Sequence, residues 1–171
     1  MQNLADKEIF LHPGEWAFAA GHVRISTLLG SCIAIVLWHP QLRMGGMCHY
    51  LLARRNGAGD TLSGRYGDEA MLLLLRAVLD CGRPLREFQC HLLGGASVLP
   101  HSDGDHQHDV AGNNIEQARQ MARQLDLQVQ TENMGGACAR MVVLDVQTGE
   151  VRVRLSQESE LPALTTKRKK A

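Results

Sequence analysis

Two residues of this chain have the types and surroundings of a thiol catalyst. Cys32 follows Gly30-Ser31, and His49 follows Gly45-Gly46-Met47-Cys48. The thiolate is the reactive form of cysteine, and a free thiol titrates near ~8.5. An imidazole beside it takes the thiol proton, then gives one to a leaving group. Gly30-Ser31 suits a sharp turn with little bulk, which exposes the sulfur and frees backbone N–H groups to hold an oxyanion. Gly30 and Ser31 are therefore candidate oxyanion or turn residues.

The elements that must position this pair are two short apolar runs, Ile33 to Trp38 and Met47 to Leu52, separated by the turn-forming His39-Pro40-Gln41-Leu42-Arg43. That pattern predicts a β-hairpin. If Trp38 faces Arg43, Cys32 faces His49. If Trp38 faces Met44, Cys32 faces Tyr50 and His49 lies one step away. Gly45-Gly46 offers a site for a bulge that shifts the pairing by one. Directly opposite side chains have Cβ atoms roughly 4.5–5.5 Å apart, so either register brings sulfur and ring together.

Leu28-Leu29-Gly30-Ser31-Cys32-Ile33-Ala34 and Gly45-Gly46-Met47-Cys48-His49-Tyr50-Leu51-Leu52 resemble the CheD family, the chemoreceptor glutamine deamidases. The resemblance implies Cys32 as nucleophile and His49 as its base. It also implies a hydroxyl residue just before the cysteine that orients the histidine. Ungapped alignment puts Ser26 there, with Thr27 next to it. It extends to Tyr66-Gly67-Asp68, Leu93-Gly94-Gly95-Ala96 and Met134 to Arg140, where Ala139 replaces a glycine. Ala53 stands where the family has proline. The implied reaction is hydrolysis of receptor glutamine side chains through a thioester, in chemotaxis, with no metal or organic cofactor. The implied partners are chemoreceptor cytoplasmic domains and, in some species, a CheC-type phosphatase. Two alternatives stand beside this. The same dyad serves a receptor methylesterase or a transamidase, and a chain of low turnover serves as a binding module regulating the phosphatase.

The bounds are those of one domain. The chain has 171 residues, 44% of them hydrophobic, and its 18 basic and 18 acidic residues cancel. This balance points to neither nucleic acid nor an anionic membrane. No run reaches the ~18 apolar residues of a membrane span, and Met1 to Phe10 is too charged for a signal peptide. Five cysteines without metal-type spacing, at 32, 48, 81, 90 and 138, read as reduced thiols of a cytoplasmic protein.

Along the chain, the opening segment is polar and reads as loosely held, with a turn at His12-Pro13-Gly14-Glu15. Strands are predicted over Trp16–Ala20, His22–Leu29, Phe88–Leu93, Leu127–Glu132, Met141–Val146 and Glu150–Leu155, besides the hairpin. Arg54 to Gly67 reads as a long loop, either a plain connection or the border of a substrate groove. A helix capped by Asp68 runs to Asp80, with apolar residues nearly encircling it, which predicts deep burial. A second helix opens at Asn113-Asn114 and runs to Leu125, its stripe being Ile115, Ala118, Met121, Ala122 and Leu125. One of those asparagines is the expected cap, and the resemblance also places there an asparagine that can serve the site. Leu93 to Ala96 allows close backbone approach to the nucleophile turn or to substrate. Arg140 is read as structural before substrate-holding. His101 to Asp109, with three histidines and three aspartates, reads as a solvated loop and fits no defined zinc spacing. The tail from Ser156, ending Lys-Arg-Lys-Lys, reads as disordered. The whole predicts an α+β fold: a strand-rich layered sandwich over residues 1–155, with two main helices packed outside.

Overall fold

The structure is a computed structural model that describes residues 6–98 and 109–156. The readings placed on His101 to His108 and on the tail from residue 157 fall outside them. The element order is β1 (Lys7–Leu11), β2 (Trp16–Ala20), β3 (Val23–Leu29), β4 (Ile33–His39), β5 (Met44–Tyr50), α1 (Gly67–Asp80), β6 (Gln89–Gly94), α2 (Val110–Gln124), β7 (Gln128–Met134), β8 (Arg140–Asp145) and β9 (Val151–Leu155). The strands form two mixed sheets, one ordered β1-β3-β8-β9 and the other β2-β5-β4-β6-β7. This is the strand-rich α+β sandwich the sequence predicts.

Two apolar layers explain why these strands stack. Ile25, Leu29, Ala34, Val36, Trp38, Met47, Leu93, Val142 and Leu144 join in one cluster between the sheets. Ile33, Ile35, Leu37, Cys48, Tyr50 and Leu92 join Ala70, Met71, Leu74 and Val78 of α1 and Ala118 and Met121 of α2 in another. Both helices therefore cover the same face of the five-stranded sheet. Every residue of β4 is buried. An apolar run without alternation is what a strand covered on both faces needs.

β1 is a strand where the sequence reads as a loose segment. It pairs in parallel with β3, Leu11 opposite Thr27. Only the sheet makes it a strand, because its hydrogen bonds all go to a partner distant in the chain. The hairpin β4–β5 forms, but in neither predicted register. Trp38 faces Gly45, Ala34 faces His49 and Ile33 faces Tyr50. The reason is His39, which continues β4 instead of opening the turn. It is fully buried. Its Nδ1 accepts from the Leu42 N–H at 3.2 Å, so its Nε2–H donates to the Glu87 carboxylate at 2.7 Å. Gly45 and Gly46 hold no bulge; the pairing runs through them without a break. They are needed because a Cβ there would overlap the backbone of Leu37 or Ala17.

α1 starts at Gly67, with Tyr66 at its cap position and no side-chain capping bond. Its entry is fixed instead by the Gly67 N–H, which donates to the Leu52 carbonyl at 2.8 Å. Asp68 merely accepts from the Glu69 N–H at 2.9 Å. The helix is not covered all round, since Leu72 is 48% and Leu79 75% exposed. Periodicity shows which side chains are apolar, not whether a second layer reaches them. α2 is capped by Asp109, whose carboxylate accepts from the Gly112 N–H at 2.9 Å. The helix thus begins at Val110, and Asn113 and Asn114 lie inside it. The segment after β5 is anchored to α1 at Arg55 and Ser63. Arg55 forms a bidentate pair with Glu69 at 2.8 and 2.9 Å, and Glu69 also accepts from the Ser63 N–H at 2.6 Å. Those contacts hold the Glu69 carboxyl down at about 2. Among the described residues no helix is long and apolar enough to cross a membrane.

Candidate active site

β3 supplies the first side chain. Its alternate residues Val23, Ile25, Thr27 and Leu29 are buried, so Thr27 is the one polar member of an inward row. A buried hydroxyl needs partners. Thr27 is 0% exposed and donates its hydroxyl proton to the Leu11 carbonyl at 2.7 Å. The same oxygen lies 2.7 Å from His49 Nδ1. A hydroxyl has one proton to give. With that proton on the Leu11 carbonyl, the oxygen accepts, and Nδ1 must carry the hydrogen. The tautomer of His49 is thereby set. Its Nε2 is left as a bare lone pair, buried and without a hydrogen-bond partner among the described residues.

His49 is 1% exposed and is clamped through its main chain. Its N–H donates to the Glu15 carbonyl at 3.0 Å, and its carbonyl accepts from the Gly14 N–H at 2.8 Å. The His12 to Glu15 turn thus brackets the histidine. Burial lowers the imidazole pKa to about 4; Glu15 works against this and His12 with it.

Cys32 stands immediately before β4, half-buried against the layer between the sheets. Ala34 faces His49, and side chains two apart share a strand face. Cys32 is therefore the diagonal neighbour of His49, packed against the inter-sheet layer. Such neighbours stand roughly 7–8 Å apart between Cα atoms, within reach of long side chains. Sulfur and imidazole are not hydrogen-bonded to each other here, as is common in a site without substrate. Burial pushes the thiol pKa up, and the residue's own N–H beside the sulfur offsets part of that. The resting pair is therefore an uncharged thiol and a neutral imidazole that is free to accept a proton.

The Gly30-Ser31-Cys32 turn is held by its carbonyls. Gly30 accepts from the Ala96 N–H at 2.9 Å and Cys32 from the Gly95 N–H at 2.8 Å. Ser31 accepts from the side-chain amide of Asn114 at 3.0 Å. The Gly94-Gly95-Ala96 step thus approaches the Cys32 turn itself.

Of the sequence-predicted residues, the fold brings Thr27 and His49 into contact and sets Cys32 beside them. Ser26 is not among them. It lies on the other face of β3, in a surface depression with Glu8, Arg24, Val143 and Arg152. Alternate pointing along a strand makes two adjacent hydroxyl residues mutually exclusive for one site. Cys48 also points away, into the helix-side core, where burial pushes its thiol up to about 12. Arg140 has a structural role: it donates to the Asn133 carbonyl at 2.6 Å and side chain at 2.5 Å, and to the Gly135 carbonyl. Neither Asn113 nor Asn114, the two cap candidates, caps α2; Asn114, at the point where the resemblance places an asparagine that can serve the site, instead donates to the Ser31 and Leu51 carbonyls. Its signal was its position four before Ala118 and seven before Met121, on the buried stripe of α2.

This division gives a stability test. Thr27→Val keeps the shape but leaves the Leu11 carbonyl and the His49 Nδ1–H buried without a partner. The expected loss is about 1–3 kcal/mol, read from urea midpoints. Ser26→Ala should stay within about 0.5 kcal/mol of wild type. Equal losses in the two variants would contradict the geometry.

The family model described as CheD chemotactic sensory transduction matches residues 51–155. Longer similarities run with curated relatives. A probable chemoreceptor glutamine deamidase CheD 1 of Chromobacterium violaceum is 57% identical over 158 residues, covering 92% of this chain and 82% of the relative. A probable chemoreceptor glutamine deamidase CheD 3 of Dechloromonas aromatica is 40% identical over 154 residues, covering 90% of each. A probable chemoreceptor glutamine deamidase CheD of Pseudomonas syringae pv. tomato is 41% identical over 148 residues, covering 86% and 88%.

Proposed function

This chain belongs to the CheD family, and from that membership we propose that it is a hydrolase deamidating glutamine side chains of chemoreceptors by a Cys-His thioester mechanism. The observation that carries the mechanism is the chain Leu11 carbonyl, Thr27 hydroxyl, His49 Nδ1. It leaves a single basic nitrogen, Nε2, buried and without a hydrogen-bond partner among the described residues, on the residue whose strand partner is Ala34, two beyond Cys32.

The steps follow from that arrangement. The glutamine side-chain amide enters at the Cys32 turn. The sulfur attacks the amide carbon while His49 Nε2 takes the thiol proton. The carbonyl oxygen gains negative charge, which the Cys32 N–H stabilises. The tetrahedral intermediate collapses as Nε2–H gives its proton to the departing nitrogen, and ammonia leaves. The acyl group is now a thioester on Cys32. Water, deprotonated by Nε2, attacks it, and the sulfur leaves as thiol with the same proton. The balance is glutamine plus water to glutamate plus ammonia. Throughout, Thr27 holds the ring in the one useful tautomer. Neither metal nor cofactor enters a step.

In this reading the protein works in the cytoplasm, where the receptor helices it modifies lie, and a CheC-type phosphatase is a further partner. The test is mass spectrometry of a chemoreceptor cytoplasmic fragment after incubation with the protein, with methyl-esterified and amidated substrates side by side. Glutamine-to-glutamate conversion at defined sites, absent with Cys32→Ala, is the expected result. Ester hydrolysis without amide hydrolysis would replace the reaction with that of a methylesterase. No turnover of either, with the fragment or the phosphatase still bound, would replace it with a binding role.

A further inference from the structure

Three successive carbonyls of the nucleophile turn point into the protein. Those of Gly30 and Cys32 are held by backbone N–H groups of Ala96 and Gly95. The middle one, Ser31, is held among the described residues by a side chain alone, Asn114 Nδ2 at 3.0 Å. The second hydrogen of that amide goes to the Leu51 carbonyl at 2.8 Å, two residues beyond His49. One amide thus ties the strand end carrying the base to the turn carrying the nucleophile.

A trans peptide is planar, with its C=O and N–H pointing in opposite directions. The Ser31 carbonyl and the Cys32 N–H belong to the same peptide. We propose that Asn114 is a positioning residue that aims the oxyanion donor: by drawing the Ser31 carbonyl toward α2, it turns the Cys32 N–H away from the core, toward the substrate amide. The inference rests on the thioester mechanism of the preceding section.

The surroundings of Asn114 fit that role. It is fully buried, and its Oδ1 has no partner among the described residues. The orientation of the amide is thus set by what its two hydrogens reach. Tyr50 steadies the helix at this point, its hydroxyl donating to the Asn114 main-chain carbonyl at 2.6 Å. Among the described residues no protein acceptor takes the Cys32 N–H. It lies instead beside its own sulfur, where an oxyanion formed by attack of that sulfur would sit. Aspartate cannot donate twice, leucine cannot donate at all, and glutamine is one methylene too long for the same two bonds.

The test compares Asn114→Ala and Asn114→Gln with wild type and Cys32→Ala. Three quantities are read: kcat and KM for deamidation of a receptor fragment, the rate of Cys32 alkylation by iodoacetamide, and the urea midpoint. Alkylation displaces iodide and develops no oxyanion, so it reports the sulfur without the donor. The expected result is a kcat lower by about 10²-fold, the lower end of the cost of one oxyanion donor, with KM and alkylation rate unchanged. If Asn114→Ala does not fold, Asn114→Gln carries the test, since it keeps the amide and misplaces it. Full kcat in a folded variant overturns the proposal, and so does a proportional fall of kcat and alkylation, which would mean the sulfur itself had moved. Conversion that survives Cys32→Ala, or no conversion by wild type, removes the mechanism and this proposal with it.

Discussion

A His49→Ala variant should deamidate a receptor fragment about 10²–10⁴-fold more slowly than wild type, the range that general acid–base catalysis contributes, while its Cys32 is alkylated at nearly the wild-type rate. The combination follows from the electrostatics of the site. Burial holds the imidazole at about 4 and pushes the thiol above its ordinary value. At neutral pH the pair is uncharged, so removing the ring deletes a base and not a thiolate-stabilising cation. Alkylation of wild-type Cys32 should accordingly rise steadily with pH, with no plateau between about 5 and 8. A plateau, lost in His49→Ala, would show a standing thiolate–imidazolium pair and refute this account.

The same shift fixes two pH dependences. The proposed mechanism requires the base form of His49, so the acidic limb of kcat/KM should fall near pH 4 and not near the ordinary imidazole value of about 6.5. For stability the sign runs with the unfolded chain, which takes up a proton as pH drops through about 6.5 while the folded chain resists until about 4. The contribution of this group is therefore full above about 6.5 and is lost as pH falls toward 4. Urea midpoints should decline across that window more steeply in wild type than in His49→Ala.

Gly94→Ala should be the most damaging single methyl group that can be added near the site. Gly94 has φ +113, which a side chain resists, and a Cβ there would overlap the Cys32 carbonyl oxygen. Backbone in such regions costs about 1–3 kcal/mol for other residues. The overlap can be relieved only by moving the Cys32 turn off the Gly95 N–H that holds it. Loss of several kcal/mol at the urea midpoint and near-complete loss of deamidation are expected together. Gly136→Ala is the comparison: its φ is +76, but nothing stands within 4 Å of the added methyl. It should cost some stability and leave kcat intact. Equal effects on kcat in the two would mean that the close approach at Cys32 does not matter.

Much of this architecture was legible from residue types. The apolar run of β4 announced a strand, the helical stripe of α2 and the Leu-rich α1 announced their elements, and only the structure shows β4 covered on both faces. What misled was local. Asp68 and Asn113-Asn114 are good caps by type, yet α1 starts on a backbone bond to the Leu52 carbonyl and α2 is capped by Asp109. β1 carries no local strand pattern because a parallel edge strand takes its hydrogen bonds from β3, with Leu11 opposite Thr27.

The sequence by itself determined which chemistry was available: a cysteine at a glycine-serine turn, a histidine in the next strand, two hydroxyls side by side at Ser26 and Thr27, and the CheD resemblance those motifs carry. These are matters of composition and short spacing. The tertiary structure decided which of them meet. His39 settled the hairpin register, because an imidazole buried against Glu87 must lie in the strand and not in the turn. The stacking of the two sheets chose Thr27 over Ser26, because adjacent strand residues point to opposite faces and only packing says which face is inside. Asn114 reached Ser31 and Leu51 across a separation in sequence that no local pattern spans. Its hydrogen bonds exist only when α2 lies on the sheet.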